Sequence, residues 1–285
     1  MLKKQLLFAA FLLAVTGAPC LAAECDGVTD AFGIKKVESA LVFSSPHLNV
    51  DADGAPNAYR LDGKGLSYTC DGVVALENGK RVTPKSDPVN WQAKCNAAWK
   101  KARETNDYSG VAIFGFAMDS SNHPLVQGPG DPLPGEAFIT TTSVSIPGAP
   151  AGTQRHEIDA SNIPYIVLPA AVVKKYSIPP AGIVMVYRPS TDKLAFAVYG
   201  DGGNLGEGSV KLHFELGSDP VLVRAGVKRA KHRIEDRVVT FVFPSMRTKP
   251  ALDHDAWNAE IQSIGKAALE AFGGMEKVRL CAQQH

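Results

Sequence analysis

Apolar residues fall in short runs separated by turn-forming clusters. The runs at 111–116 ("VAIFGF"), 137–145 ("AFITTTSVS"), 163–168, 182–188, 194–200 and 238–243 ("VVTFVF") have strand length and are rich in β-branched and aromatic residues. Between them stand "GPGDPLPG", "PGAPAG", "PPAG", "PSTDK" and "GDGGN", which favour chain reversal. Many short strands with this punctuation predict a mainly β domain, a barrel or a sandwich. Two stretches switch to helical period. Over 88–103, Trp91, Cys95 and Trp99 recur at steps of four, a face better suited to packing than to sugar stacking. Over 255–272, Trp257, Ile261, Ile264, Ala268 and Phe272 form one stripe. Asp255 is the expected N-cap and Gly273-Gly274 the expected stop of this docking helix.

The first 23 residues read as a secretory signal: Lys3 and Lys4, the apolar run "QLLFAAFLLAVTGA", then small residues up to Ala23. Cleavage there leaves 262 of 285 residues, enough for one sizeable core. Removing the two signal lysines leaves 28 basic against 29 acidic residues, so no overall field points to nucleic acid or to a membrane. The basic run "RAGVKRAKHR" at 224–233 is read as a solvated loop before a strand. Four cysteines remain, Cys25, Cys70, Cys95 and Cys281, and an exported chain with an even count implies two disulfides. Three pairings are open. Cys70–Cys95 would close one local excursion and Cys25–Cys281 would tie the ends together; this pairing is preferred. The expected location is secreted or periplasmic, with no membrane contact after signal removal.

Chemistry narrows to carboxylates. There is no G-x-S-x-G, and "GEGS" has Glu where that elbow needs its nucleophile. No C-x-x-C pair occurs, and His123, His156, His213 and His254 are scattered, as surface or turn histidines, so no metal is expected. "DADGAPNAY" begins like a calcium loop, but Pro56 and the missing terminal Glu break it. "GDGGNLGEG" lacks the lysine of a phosphate loop. No cofactor is expected. Asp53, Asp62 and Asp131 sit in turns, where Asp commonly bonds nearby backbone N–H groups. Asp201 differs, because it ends an apolar strand where low polarity would raise its pKa. Glu207 follows across Gly202, Gly203 and Gly206, which allow a sharp bend and leave room for a polymer.

Four segments, "VDADGAPNAYRLDGKGLSY", "PLVQGPGDPLPGEAFITTTSVS", "EIDASNIPYIVLP" and "KLAFAVYGDGGNLGEGSVKL", occur in this order. Together they resemble the fungal-type chitosanases of glycoside hydrolase family 75, over roughly 49–68 and 124–217. The resemblance implies a hydrolase that cleaves β-1,4 links between glucosamine units with inversion, using an Asp and a Glu that match Asp201 and Glu207. The turn here is shorter, and Gly203 stands where a Pro is common. A helical insertion at about 69–110 and the helical tail from about 248 are extra to that pattern. "IDASNIPYIVLP" followed by "YGDGG" is also similar to the double-psi β-barrels of murein-degrading lytic transglycosylases. The expected fold is therefore a six-stranded double-psi-like barrel with helical decorations, one domain over 24–285.

Inverting hydrolysis needs one protonated carboxyl and one carboxylate to activate water. Asp201 as acid and Glu207 as base is the first assignment, and the reverse is open. Asp53, Asp131 and Asp159 could hold glucosamine ammonium groups; for Asp159, bonding the turn before Pro164 is an equal alternative. The expected partner is a polysaccharide, chitosan or a related aminosugar polymer. Peptidoglycan glycan strands, cleaved by a hydrolase or transglycosylase, and a non-catalytic glycan-binding module are the alternatives.

Overall fold

A computed structural model describes residues 25–284; the expected signal peptide lies outside the described residues. The chain opens with β1 (Lys35–Val37), β2 (Ala40–Ser45) and β3 (Asn49–Asp51). Next come α1 (Thr69–Gly72), β4 (Val73–Glu77), β5 (Lys80–Arg81), α2 (Trp91–Thr105) and β6 (Val111–Ile113). The centre holds β7 (Tyr165–Leu168), α3 (Ala170–Tyr176), β8 (Gly182–Arg188), β9 (Lys193–Gly202), β10 (Glu207–Ser209) and α4 (Val210–Glu215). The hairpin β11 (Val221–Arg224) and β12 (Val227–Ala230) precedes β13 (Val238–Arg247), α5 (His254–Phe272) and α6 (Gly274–Gln283).

The main sheet runs β1-β2-β13-β8-β9-β7-β10-β3. Its first five strands pair antiparallel, whereas β7 lies parallel to β9 and β3 parallel to β10. β8 is buried at six of its seven positions, the pattern of a strand covered on both faces. The mainly β reading with helical decorations holds. The paired strands do not close on themselves: eight lie side by side in one sheet, with β1 and β3 as edges. After β3 the chain leaves the sheet in turns instead of pairing onward.

The run 137–145, expected as a strand, makes only isolated bridges. Two buried glutamines take its place in a ladder. Gln154 Oε1 accepts from Thr140 N at 3.0 Å, and Gln127 Nε2 donates to the Phe138 carbonyl at 3.2 Å. Side-chain amides thus satisfy backbone groups that a neighbouring strand would otherwise have to meet.

The segment 69–110 is not purely helical, for it builds the small sheet β5-β4-β6 with α2 against β4. The Cys70–Cys95 disulfide joins α1 to α2. Trp99 is buried among Tyr108, Phe116 and Phe138, so this face packs rather than binding sugar. Cys25–Cys281 ties the first described residue to α6. Both disulfides are the preferred pairs. No helix among the described residues is long and apolar enough to cross a membrane.

The C-terminal extension covers the sheet. Asp253, not Asp255, caps α5, accepting from Ala256 N at 3.0 Å. Gly273 ends it with φ 112°, but the chain then turns directly into α6. Trp257, Ile261, Ala268 and Phe272 are buried as expected, with Trp257 Nε1 donating to Thr248 Oγ1 at 2.8 Å. Ile264 is partly buried against the same core, and Gly265 makes the tightest approach to the sheet: a Cβ there would lie 2.5 Å from Phe196 Cδ1. Gly265→Ala should gain about 1 kcal/mol of helix propensity against an overpacking cost of about 2–3 kcal/mol at so close a contact, for a net loss of roughly 1–2 kcal/mol. Thermal unfolding reads this as a lower Tm. An unchanged or higher Tm would show that α5 does not seat on Phe196.

Candidate active site

Asp201 reaches its position through a β-bulge. β9 pairs with β7 as Ile166↔Tyr199 and then Val167↔Asp201, so Gly200 is the extra residue. Successive residues of a strand point to opposite faces. The bulge therefore turns Asp201 away from the face of Tyr199 and toward that of Val167. A side chain at Gly200 would strike Tyr165, its Cβ coming 2.7 Å from Tyr165 Cβ. Asp201 is 8% exposed. Its Oδ1 accepts from Ser143 N at 2.7 Å and from Gly202 N at 2.6 Å. Burial is the largest influence on this carboxyl and raises its pKa; the two N–H bonds oppose that shift, and the charge of Glu207 adds to it.

Glu207 starts β10, directly after the turn. Gly206 has φ 87°, a conformation that favours glycine. Asn204 Nδ2 donates to Glu207 Oε1 at 3.2 Å. Ser209 anchors the strand from below. Its hydroxyl donates to the Ile163 carbonyl and accepts from Tyr165 N and, as N-cap of α4, from Leu212 N. His213 is wholly buried, contrary to the surface or turn reading, with ring nitrogens 3.0 and 3.1 Å from the Ser209 and Leu48 carbonyls. It stitches the edge at β3 to β10, and burial lowers its pKa.

The parallel pairing of β3 with β10 brings a second acidic pair alongside. The register sets Glu207 opposite Asn49 and Ser209 opposite Asp51. Asp51, Asp53, Asp71, Asp201 and Glu207 all line one cleft of about 400 Å³, with the exposed ring of Phe114 on its wall. Carboxylate oxygens of Asp51, Asp53 and Asp201 lie within 4.8 Å of one another. Desolvation, and next the charge of Asp201, push the Asp51 carboxyl up to about 7. Asp53 is raised well above the ordinary value by burial and then by Asp51. Repulsion among three close acids is relieved by protons, and the same spacing could hold a cation, against the metal-free expectation. Tyr165 closes the floor, its hydroxyl donating to the Asp53 carbonyl at 2.8 Å.

Of the residues singled out from sequence, the cleft unites Asp53, Asp201 and Glu207. Asp131 and Asp159 lie elsewhere. Asp131 accepts from Gly128 N and Gln154 N and fixes a turn. Asp159 accepts from Ser161 N and Asn162 Nδ2 and faces a different cavity, beside His254. Both therefore behave as structural turn aspartates. Asp51, Asp71 and Phe114 are additions. The spacing of Asp51 and Asp53 held the signal for the first, because i and i+2 share a face of extended chain; nothing local marks Asp71 or Phe114. Among known proteins, no family model and no curated sequence matches this chain.

The crowded acids make stability depend on pH. Asp51 titrates near 3.8 when unfolded and at about 7 when folded. Between those values the folded chain holds a proton that the unfolded chain releases, so stability falls as pH rises through that window. Asp51→Asn removes this cost. At pH 8 it should gain about 1–2 kcal/mol, roughly 3–6 °C in Tm, and near pH 4 almost nothing. A gain of equal size at both pH values would dismiss the repulsion.

Proposed function

We propose that the protein is an exported glycoside hydrolase acting on an aminosugar polymer, of which chitosan is the simplest, with inversion. The observation that carries this reading is the pairing of Asp201 and Glu207 across a glycine turn in one acidic cleft. The resemblance of four ordered segments to the family 75 chitosanases is in keeping with this reading. Asp201, buried and raised in pKa, is suited to be the general acid. It donates its proton to the glycosidic oxygen as the bond from that oxygen to the anomeric carbon breaks. Half-buried Glu207 is suited to be the base. It takes a proton from the water that attacks the opposite face of the sugar. The water supplies the new hydroxyl, and the two carboxyls end with their protonation exchanged.

Asp53 and Asp71 offer acceptor oxygens to a glucosamine ammonium, whose charge would favour their ionised forms, and the Phe114 ring gives an apolar face to the sugar. Two disulfides suit an oxidising compartment outside the cytoplasm. A double-psi-like arrangement belongs to this reading as well, supported by the parallel pairings β7–β9 and β3–β10 around the site.

Asp201→Asn and Glu207→Gln keep shape and remove the titrating group. Each should lower release of reducing ends from chitosan by about 10²–10⁴-fold, with Tm at pH 7 not reduced. Full turnover in either variant would remove that residue from the mechanism. Binding of chitosan oligomers with no cleavage of chitosan, chitin or murein would replace the hydrolase by a glycan-binding module.

A further inference from the structure

The basic run at 224–233 is largely solvent-exposed, as expected, but it is a hairpin and not a plain loop. It forms the end of β11, the strand β12 and the segment after it, and with Tyr68 it walls a second cavity of about 460 Å³. Four cationic side chains, Arg224, Arg229, Lys231 and Arg233, line this cavity against one acid, Glu235. Leu222 and Val227 add an apolar part to its lining.

The cavity is built, not a chance spray of lysines. Arg229 donates to the carbonyls of Gly63, Gly65 and Ser67 and so staples the hairpin to the loop before α1. Its guanidinium also lies 4.4 Å over the Tyr68 ring, and Lys231 Nζ lies 5.0 Å from the same ring. Ala230 N donates to the Leu66 carbonyl. Arg233 is paired with Glu235 at 2.8 Å. Among the described residues, Arg224 and Lys231 make no ion pair within 4.0 Å, although Asp71 feels the Lys231 charge.

This cavity adjoins the acidic cleft. Ser67 and Ala230 line the cleft, while their chain neighbours Tyr68, Arg229 and Lys231 line the basic cavity. Asp71 sits in the cleft and within reach of the charges of Lys231 and Arg229. A sugar chain seated on the five acids can therefore extend a substituent over the 67–68 and 230–231 wall. A polymer carrying only ammonium groups would be repelled there. A chain with carboxylates on short arms would meet opposite charge in both places.

We propose that the basic cavity is an anion subsite, and that the polymer it selects is an aminosugar chain bearing carboxylate side groups. This rests on the aminosugar reading of the cleft. Arg224 and Lys231 are the carboxylate-binding groups, Arg229 holds the wall, and the apolar lining takes the arm.

The test compares binding and cleavage in one preparation. Binding of a glucosamine hexamer and of its O-carboxymethylated counterpart is measured by calorimetry at about 50 mM salt, where screening is modest. The full mature protein is compared with Arg224→Ser/Lys231→Ser, both exposed positions, and with Asp201→Asn. The wild type should bind the carboxymethylated hexamer about 10-fold tighter. The double variant should lose that preference with its Tm unchanged, and should bind the plain hexamer no more weakly than the wild type does. Equal affinity for the two hexamers, or a preference that survives the double variant, would overturn the subsite. So would loss of binding to phosphatidylglycerol vesicles as the double variant's only effect, which would mark a membrane-facing hairpin. Turnover is scored separately. A wild type that shows the preference but cleaves neither oligomer keeps the anion subsite and removes the hydrolase.

Discussion

Like charges held together in one cleft are the constraint around which the molecule is organised. Asp51, Asp53 and Asp201 would separate or pick up protons in any compliant setting, because carboxylates at this spacing cannot all ionise cheaply. Here two chain segments fix them, the end of β3 with the turn after it and the end of β9. Asp51 ends the edge strand β3, Asp53 follows it, and Asp201 ends β9. The sheet can hold them because its backbone pairing and buried interior cost far more to disturb than the repulsion costs to bear. The raised proton affinity of these acids is the chemical consequence of that rigidity, and it is what a general acid requires.

The rigidity has identifiable sources. A one-residue bulge at Gly200 aims Asp201, and two backbone N–H groups grip its carboxylate. The Ser209 hydroxyl satisfies three partners at once and locks β10, and with it Glu207, to β7 and α4. His213 ties the same strand to the chain at Leu48. Each of these polar groups is buried and each has its partners. A buried network of this kind is costly when incomplete and specifies one geometry when complete. Behind it, α5 covers the sheet and the Cys25–Cys281 bond fixes Cys25, the first described residue, to α6 within the core. The cleft therefore stands on an interior closed by covalent as well as apolar contacts.

Charge is also arranged across the surface. The chain as a whole is nearly neutral, yet acids and bases are sorted into neighbouring cavities. Sorting of this kind creates a local field that net charge conceals. The boundary is a single layer of backbone, 67–68 facing 230–231, where alternate residues turn to opposite sides. Arg229 spends its hydrogen bonds on three carbonyls of the loop before α1, so the basic wall is held as firmly as the acidic one.

Much was legible in the chain itself. Apolar runs with turn clusters between them marked β7, β8, β9 and β13, and a four-residue spacing marked α2 and α5. Cysteine count and position indicated both disulfides. The strand-end acid and the glycine turn singled out Asp201 and Glu207, which do share a cleft. These features are local, and local sequence carries them. The rest depends on partners distant in the chain. Residues 137–145 have strand composition, but their backbone bonds are divided among several separate segments and the side chains of Gln127 and Gln154. The close seating of Gly265 depends on where Phe196 stands. Asp131 and Asp159 look like Asp53 in sequence, since all three are turn aspartates. Only the pairing of β3 with β10 separates Asp53 from them, because a register between strands some 150 residues apart leaves no trace in either segment alone. The closing of one cleft by five acids, and the opening of a basic cavity beside it, were decided at that tertiary level.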